Sequence, residues 1–123
     1  MAAVDILVVD DEAPIRRTLS YLLTKSGYSV ETAQDGEEGI EKAKSLLPKL
    51  IFLDIMMPKK DGYEVCRFLK SDDLLKDTYV VLLTAKGQAM DSEFGRKQGA
   101  DEVCTKPYTP MDILSCAERV CRT

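Results

Sequence analysis

Short runs of consecutive apolar residues constrain the fold of this chain more than any other feature. Three of them, residues 6–9, 50–53 and 79–83, consist only of aliphatic and aromatic residues and are four or five residues long. Because neither face of such a run is polar, the runs are typical of strands buried on both faces at the centre of a parallel sheet. The weaker run 103–105 predicts another strand, and the alternating pattern of 28–33 predicts a strand at the edge of the sheet.

Amphipathic helices are predicted between these strands, because apolar residues recur there at intervals of three and four. Helix-starting and helix-stopping residues mark their limits. The predicted helices are 14–26, stopped by Gly27; one capped by Asp35 with Ile40, Ala43 and Leu47 on its inner face; one opened by Asp61 and Gly62; one over 88–98, interrupted by Gly95 and ended by Gly99; and one capped by Thr109 with Pro110 at its first position.

Five strands alternating with five helices predict an α/β fold with one doubly wound, five-stranded parallel sheet of the flavodoxin-like (βα)5 type. If the strand at 28–33 lies at the edge, the strand order is 2-1-3-4-5, and the topological switch point falls between strands 1 and 3. The chain of 123 residues is short enough for one domain, spanning 1–123.

Charge and hydropathy exclude several classes of protein. The formal net charge is −4 and no basic cluster is present, so direct binding to nucleic acid is not expected. No apolar stretch approaches the roughly 18 residues that span a membrane. The N-terminal residues have neither a cationic segment nor a long apolar core, so no signal peptide is predicted and the expected location is the cytoplasm.

The four cysteines are expected to be reduced thiols. They form no C-x-x-C pair, and the chain has no histidine, so a zinc site is not expected. An even number could form two disulfides, but without a secretory signal we expect thiols that pack as small apolar groups.

Acidic residues follow two of the central strands. Asp10 and Asp11 come directly after the first apolar run, and Asp54 follows the run 50–53. A single aspartate in this position often serves a turn or a helix cap, but these three are expected to meet at the switch point, where ligands bind. Carboxylates a few ångström apart repel one another unless a cation lies between them, and Mg²⁺ prefers such oxygen ligands.

Asp54 is the best candidate for a nucleophile, since a carboxylate can accept a phosphoryl group. An ordinary aspartate has a pKa of about 3.9, so the carboxylate is expected to be ionised without help from a base. Two further residues follow strands on the same edge. The ammonium group of Lys106 and the hydroxyl group of Thr84 are expected to contact phosphoryl oxygens.

These residues resemble the receiver domain of two-component response regulators over essentially the whole chain. The segments that carry the resemblance, in this order and spacing, are 8–12, 54–62, 83–88, 99–101 and 105–108. The resemblance implies that Asp54 takes a phosphoryl group from the phosphohistidine of a sensor histidine kinase or a histidine phosphotransfer protein. It also implies that Asp11, Asp54 and the backbone carbonyl of Met56 bind Mg²⁺, with Asp10 acting nearby through water.

The resemblance has further implications for the surroundings of the phosphoryl group. Lys106 and Thr84 would contact it, and the bond between Lys106 and Pro107 would be cis, which is uncommon in proteins. A downstream protein would bind the face formed by helix 4, strand 5 and helix 5, roughly residues 88–122. Such a domain is not an enzyme, because it acts only on its own aspartate.

One position departs from the family pattern. The family usually has Tyr or Phe three residues before the lysine, and that ring turns inward as the threonine moves toward the phosphate. Here the position is Val103. Coupling is therefore expected to depend on Thr84 and on the backbone near Ala85. Met56 and Lys86, at the rim of the site, are expected to influence the lifetime of the phosphoryl group.

Other functions remain open from the sequence. A Mg²⁺-dependent phosphatase of the haloacid dehalogenase type needs a second aspartate where this chain has Met56. A flavodoxin-like protein needs a phosphate-binding loop where residues 10–12 are acidic. An interaction module that is never phosphorylated is a third alternative. We expect a stand-alone regulator in preference to a receiver excised from a longer protein.

Overall fold

The computed structural model describes residues 4–84 and 89–122. Five strands and five helices alternate along the chain. The strands are β1 (Ile6–Val9), β2 (Val30–Ala33), β3 (Leu50–Asp54), β4 (Tyr79–Thr84) and β5 (Glu102–Thr105). The helices are α1 (Ala13–Lys25), α2 (Gly36–Leu46), α3 (Gly62–Ser71), α4 (Ala89–Lys97) and α5 (Pro110–Cys121).

The strands form one parallel sheet in the order β2-β1-β3-β4-β5. Val9 of β1 lies opposite Ala33 on one side and opposite Leu53 on the other, so the carboxyl ends of the three strands are level. Thr84 at the end of β4 lies opposite Thr105. The predicted fold class and strand order are confirmed, and the three apolar runs form the three inner strands.

Alternate residues of the inner strands supply two separate hydrophobic cores. Leu7, Val9 and Leu53 face the side covered by α2 and α3, whereas Ile6, Val8 and Phe52 face the side covered by α1 and α5. All six of these side chains are at most 1% exposed. The two cores hold the sheet from both faces, and this fixes the positions of the side chains that follow each strand.

The predicted helix starts are confirmed by their caps. Asp35 accepts a hydrogen bond from Glu38 N–H at the start of α2. Asp61 at the start of α3 and Thr109 at the start of α5 each form a capping box, in which the third helical residue bonds back to the cap. Such caps satisfy backbone N–H groups that the first turn leaves free.

Three details of the predicted elements are wrong. The edge strand begins at Val30 and not at Tyr28, although Tyr28 is buried in the core. Leu47 does not lie on the inner face of α2, because it follows the last helical residue with φ of 47° and is 44% exposed. Gly95 does not interrupt α4, which runs through it; a Cβ at Gly95 would lie 2.9 Å from Cδ1 of Leu82, so the glycine allows the helix to approach the sheet closely.

The four cysteines are free and lie in or against the cores. Burial raises the pKa of all four thiols, to about 11 for Cys66 and about 12 for Cys116. They are therefore protonated at neutral pH. Across the described residues, no helix has both the length and the apolar character needed to cross a membrane.

Candidate functional site

Three carboxylates meet at the carboxyl edge of the sheet, between β1 and β3. Asp10 follows β1 directly, and Asp54 is the last residue of the neighbouring strand β3. Together with Asp11 they offer three oxygen atoms that lie within 4.8 Å of one another. Asp10 and Asp54 are buried and Asp11 is exposed. The acidic residues that the sequence placed at the switch point are thus brought together.

Asp10 is a buried carboxylate with one unsatisfied oxygen. Its Oδ1 accepts a hydrogen bond of 2.9 Å from Glu12 N–H, whereas its buried Oδ2 has no hydrogen-bond partner among the described residues. Burial is the main cause that raises its pKa, and the hydrogen bond from Glu12 opposes it. An oxygen of this kind is costly to bury alone, so the site is suited to a cation or to water bound by a cation.

Asp54 is electrostatically different from an ordinary aspartate. Burial, and then repulsion by Asp10, raise its pKa to about 6, against the attraction of Lys106. The expectation that it keeps an ordinary pKa is therefore wrong, because the sequence does not show how strongly the fold desolvates this carboxyl group. With a pKa of about 6, about nine-tenths of the groups are ionised at pH 7. A bound cation would favour the ionised form further.

Lys106 and Thr84 lie beside the three carboxylates, at the ends of strands β5 and β4. Lys106 Nζ lies 3.4 Å from Oδ1 of Asp54. The lysine follows β5, and its N–H donates a hydrogen bond of 2.7 Å to the carbonyl oxygen of Thr84. Thr84 itself is buried at the end of β4. The peptide bond between Lys106 and Pro107 is cis, as the resemblance implied.

These groups surround a cleft of about 270 Å³. Met56 lies at its rim with 74% of its surface exposed, so its side chain does not fill the site. The residues that line the cleft are Asp11, Glu12, Asp54, Ile55, Met56, Leu83, Thr84 and Lys106. Ala85 and Lys86, which the sequence placed at the rim, lie outside the described residues.

Val103 lies away from the cleft. It is paired with Leu82 across β4 and β5, and it packs against the core that α2 and α3 cover. A Cβ on Gly95 would lie 3.2 Å from Cγ2 of Val103, so α4 passes close to this side chain. Nearby, the rings of Tyr63 and Phe94 pack edge to face, with centroids 4.6 Å apart.

Sequence reasoning missed how closely Gly62 supports the strand that carries Asp54. The sequence marks Gly62 only as the start of a helix, but a Cβ there would lie 2.6 Å from the carbonyl oxygen of Asp54 and 2.7 Å from Cα of Ile55. Its N–H also donates a hydrogen bond to the carbonyl oxygen of Ile55. The first turn of α3 therefore rests directly on the backbone of the nucleophile candidate. The only signal in the sequence is the glycine itself.

Residues 6–118 match the response regulator receiver domain. The chain belongs to this family. The receiver domain match covers β1 to most of α5, and it includes Asp10, Asp11, Asp54, Thr84 and Lys106.

Individual relatives agree with this assignment. The chain is 44% identical over 117 residues to the alkaline phosphatase synthesis transcriptional regulatory protein PhoP of Bacillus subtilis (strain 168), covering 95% of this chain and 48% of PhoP. It is 40% identical over 109 residues to protein PilG of Pseudomonas aeruginosa, covering 89% of this chain and 81% of PilG. The receiver thus spans about half the length of PhoP and of several similar relatives.

Solved receiver structures have the same fold. The chemotaxis protein CheY4 of Vibrio cholerae superposes with a TM-score of 0.88 at 33% identity, covering 97% of this chain and 99% of that one. The receiver domain of NtrX from Brucella abortus gives a TM-score of 0.87 at 29% identity, with coverage of 97% and 99%.

Proposed function

We propose that the chain is a phosphoacceptor signalling domain, in which Asp54 accepts a phosphoryl group from the phosphohistidine of a sensor histidine kinase or a histidine phosphotransfer protein. The observation that carries this proposal is the constellation at the sheet edge. Three carboxylate oxygens, one each from Asp10, Asp11 and Asp54, lie within 4.8 Å of one another. The ammonium group of Lys106 lies 3.4 Å from Oδ1 of Asp54. Carboxylates and an ammonium group in this arrangement are suited to binding a phosphoryl group together with a cation.

The transfer is a substitution at phosphorus. An ionised oxygen of Asp54 forms a bond to phosphorus, and the bond from phosphorus to the histidine nitrogen breaks. The electron pair of that bond stays on the imidazole, which takes up a proton from water. Lys106 offsets the charge of the phosphoryl oxygens, and the hydroxyl group of Thr84 donates a hydrogen bond to one of them. The phosphoryl group is lost when the oxygen of a water molecule attacks the phosphorus: the bond from phosphorus to the Asp54 oxygen breaks, its electron pair stays on the Asp54 carboxylate, and inorganic phosphate leaves with the protons of the water.

The carboxylates of Asp11 and Asp54 and the backbone carbonyl of Met56 would hold Mg²⁺, with Asp10 acting through water. These ligands fit because all are oxygen atoms and because buried Oδ2 of Asp10 has no partner among the described residues. Bound Mg²⁺ would neutralise the charge that gathers on the phosphoryl oxygens. By holding the ion, Asp10 and Asp11 would allow its charge to offset the repulsion between the carboxylates and an approaching phosphoryl group.

The output of this domain is proposed to be a change in partner binding. The phosphoryl group would draw Thr84 and the backbone near Ala85 toward the cleft, and the face of α4, β5 and α5 would report the change to a downstream protein. Lys86 and Met56 would modulate how long the phosphoryl group persists. In this role the domain modifies only itself and acts in the cytoplasm, without contacting nucleic acid or membrane.

Phosphorylation by a small acyl phosphate tests the proposal. Purified protein with Mg²⁺ and the donor should gain the mass of one phosphoryl group, in a form labile to base. Asp54→Asn should gain none. The matched control is Asp77→Asn, which removes an exposed carboxylate in the loop before β4 and should behave as the wild type. Phosphorylation of Asp54→Asn at the wild-type rate would contradict the assignment.

A further inference from the structure

The segment that carries Met56 connects β3 to α3, and we call residues 55–61 the acceptor loop. Its ends are held by backbone hydrogen bonds. Ile55 N–H donates to the carbonyl oxygen of Leu83 at 3.3 Å, and Gly62 N–H donates to the carbonyl oxygen of Ile55 at 2.9 Å. Met57 packs against the core that α2 and α3 cover. The carbonyl group of Met56 lies near one end of this arch, and its place depends on how the whole loop is held.

Lys59 contacts a different element from the middle of the acceptor loop. Its Nζ lies 3.5 Å from Oδ2 of Asp35 and 3.7 Å from Oε1 of Glu37, both at the start of α2. The backbone of Lys59 has φ of 70°, in the left-handed region that residues with a side chain avoid. Such a conformation persists only where surrounding contacts hold it, and the ion pair is one contact that does so.

Asp35 is unusual for the partner of an exposed lysine. Only 7% of the residue is exposed. Its Oδ1 is occupied by the cap of α2, through the hydrogen bond from Glu38 N–H, and Oδ2 faces Lys59. The hydrogen bond from Glu38 and the charge of Lys59 hold the pKa of this carboxyl group below its usual value. A nearly buried carboxylate thus supplies a fixed point for the acceptor loop.

The acceptor loop also lies directly on α2. A Cβ at Gly36 would overlap the carbonyl oxygen of Lys60, so the glycine allows the two backbones to touch. The loop and the start of α2 therefore meet in two ways, through this backbone contact and through the ion pair. Movement of the loop away from α2 would break both contacts.

We propose that the ion pair between Lys59 and Asp35 is a positioning contact, which holds the acceptor loop so that the Met56 carbonyl is in place to bind Mg²⁺. The inference rests on the function proposed above, because it assigns a determinant of metal affinity at the same site. Lys59 itself would not touch the metal. Its effect passes through the backbone from Lys59 to Met56.

The sign of the effect separates positioning from simple electrostatics. Lys59 is a cation near a cation site, so its charge alone weakens Mg²⁺ binding, and its removal by Lys59→Met would strengthen binding slightly. If the ion pair positions the loop, the same substitution weakens binding. We expect an increase of about threefold to tenfold in the Mg²⁺ dissociation constant, modest because the lysine is exposed.

The adjacent lysine provides a matched control. Lys60→Met removes the same charge from the same loop, but Lys60 has no ion pair in the described part of the chain. We expect Lys60→Met to leave the dissociation constant unchanged or slightly lower. Lys59→Arg keeps the charge and should restore binding close to that of the wild type. Asp35→Asn retains an oxygen for the helix cap and removes only the charge, so it should weaken binding as Lys59→Met does.

The Mg²⁺ dissociation constant is measured by following the amide signals of the unphosphorylated protein during a Mg²⁺ titration. The hydrogen exchange rates of residues 56–60 are measured separately, without metal. Faster exchange in Lys59→Met than in Lys60→Met, together with weaker binding, supports the proposal. Equal affinity of these two variants, with normal binding by the wild type, overturns the positioning role alone. Absence of Mg²⁺ binding by the wild type at millimolar concentration overturns the metal site and this role with it.

Discussion

Burial determines the chemistry of Asp54 at the scale of single residues. Asp54 is 5% exposed as a whole residue, and its carboxyl group lies beside a second buried carboxylate, that of Asp10. Both conditions disfavour the charge on which nucleophilic attack depends. Lys106 offsets part of this cost, but the pKa still rises to about 6. The buried carboxylates therefore lower the stability of the folded protein, and binding of a cation or a phosphoryl group can restore it.

Asp54→Asn is expected to stabilise the metal-free protein at pH 7.5. The folded-state pKa is about 6 and the reference value is 3.8, so between these values the folded chain binds more protons than the unfolded chain. Stability due to this group falls as pH rises through that window. The ionised form then costs up to about 2–3 kcal/mol above pH 6, and the substitution should recover about 1–3 kcal/mol. Urea unfolding at pH 7.5 and pH 4 measures the difference, which should shrink at pH 4.

The control for this prediction is again Asp77→Asn, which should change the free energy of unfolding by less than about 0.5 kcal/mol. A variant Asp54→Asn that is no more stable than the wild type at pH 7.5 would show that the carboxyl group is not destabilised by burial. An equal gain at both pH values would point to packing instead of charge.

Helix α3 and strand β3 form a unit at the scale of elements. The first residue of the helix, Gly62, packs against the backbone of Asp54 and Ile55 with no room for a side chain. The cap at Asp61 fixes the start of the helix at this point. Helix α4 approaches the sheet at Gly95 in a different way, since the atom nearest to an added Cβ is the end of the Leu82 side chain.

Gly62→Ala and Gly95→Ala are expected to differ for this reason. An added methyl group at Gly62 meets backbone atoms at 2.6 and 2.7 Å, so the helix or the strand must shift, at a cost of about 1–3 kcal/mol. At Gly95 the side chain of Leu82 can turn aside, and the gain in helix propensity of about 1 kcal/mol compensates.

Urea unfolding and the phosphorylation rate with a small acyl phosphate test this pair. Gly62→Ala should lower both, because a shift at Gly62 moves Asp54. Gly95→Ala should leave the phosphorylation rate close to that of the wild type. Similar rates for the two variants would show that α3 does not support the geometry of Asp54.

An element could be predicted where its own residues carry the pattern that requires it, and not where it depends on contacts between distant segments. The inner strands were recognisable because burial on both faces requires continuous apolar residues, and the caps because they need Asp or Thr at one position. Leu47 was misplaced because periodicity cannot show where a helix ends. Contacts between distant segments, such as that of Lys59 with Asp35, have no local signal. The raised pKa of Asp54 is of the same kind, since it depends on burial by several elements.

At the scale of the whole molecule, the sheet concentrates the reactive groups on one edge. Asp54 and Thr84, the last residues of β3 and β4, lie at this edge with Asp10 and Lys106, which directly follow β1 and β5, while two apolar cores cover the faces. Repulsion within the acidic cluster destabilises the folded state. A ligand that binds only the folded state stabilises that state by mass action.

Mg²⁺ is therefore expected to stabilise the wild-type protein. At 100 times its dissociation constant, the ion should add about 2.7 kcal/mol to the free energy of unfolding. Thermal melts in chelator and in millimolar Mg²⁺ measure the gain. Asp11→Asn removes an exposed ligand candidate and should abolish most of the gain, whereas Asp77→Asn should retain it. A wild-type melt that does not change with Mg²⁺ would contradict the metal site.

A phosphoryl mimic on Asp54 is expected to perturb one side of the molecule more than the other. Lys106 contacts Asp54, and its backbone bonds to Thr84, so amide signals of residues 103–108 should shift more than those of α2. Thr84→Ala should reduce these shifts without preventing occupancy. If residues 103–108 do not respond while Asp54 is fully occupied, the signal does not leave the site through β5.

The raised pKa values of the four buried or partly buried thiols have a practical consequence for observing these changes. Maleimides and similar reagents attack the thiolate, and the native cysteines are held as protonated thiols by their surroundings. A single cysteine introduced at an exposed position, such as Asp77→Cys or Lys97→Cys, would react first at neutral pH. Fluorescent or spin labels could then be attached to the wild-type background, without replacing any native cysteine.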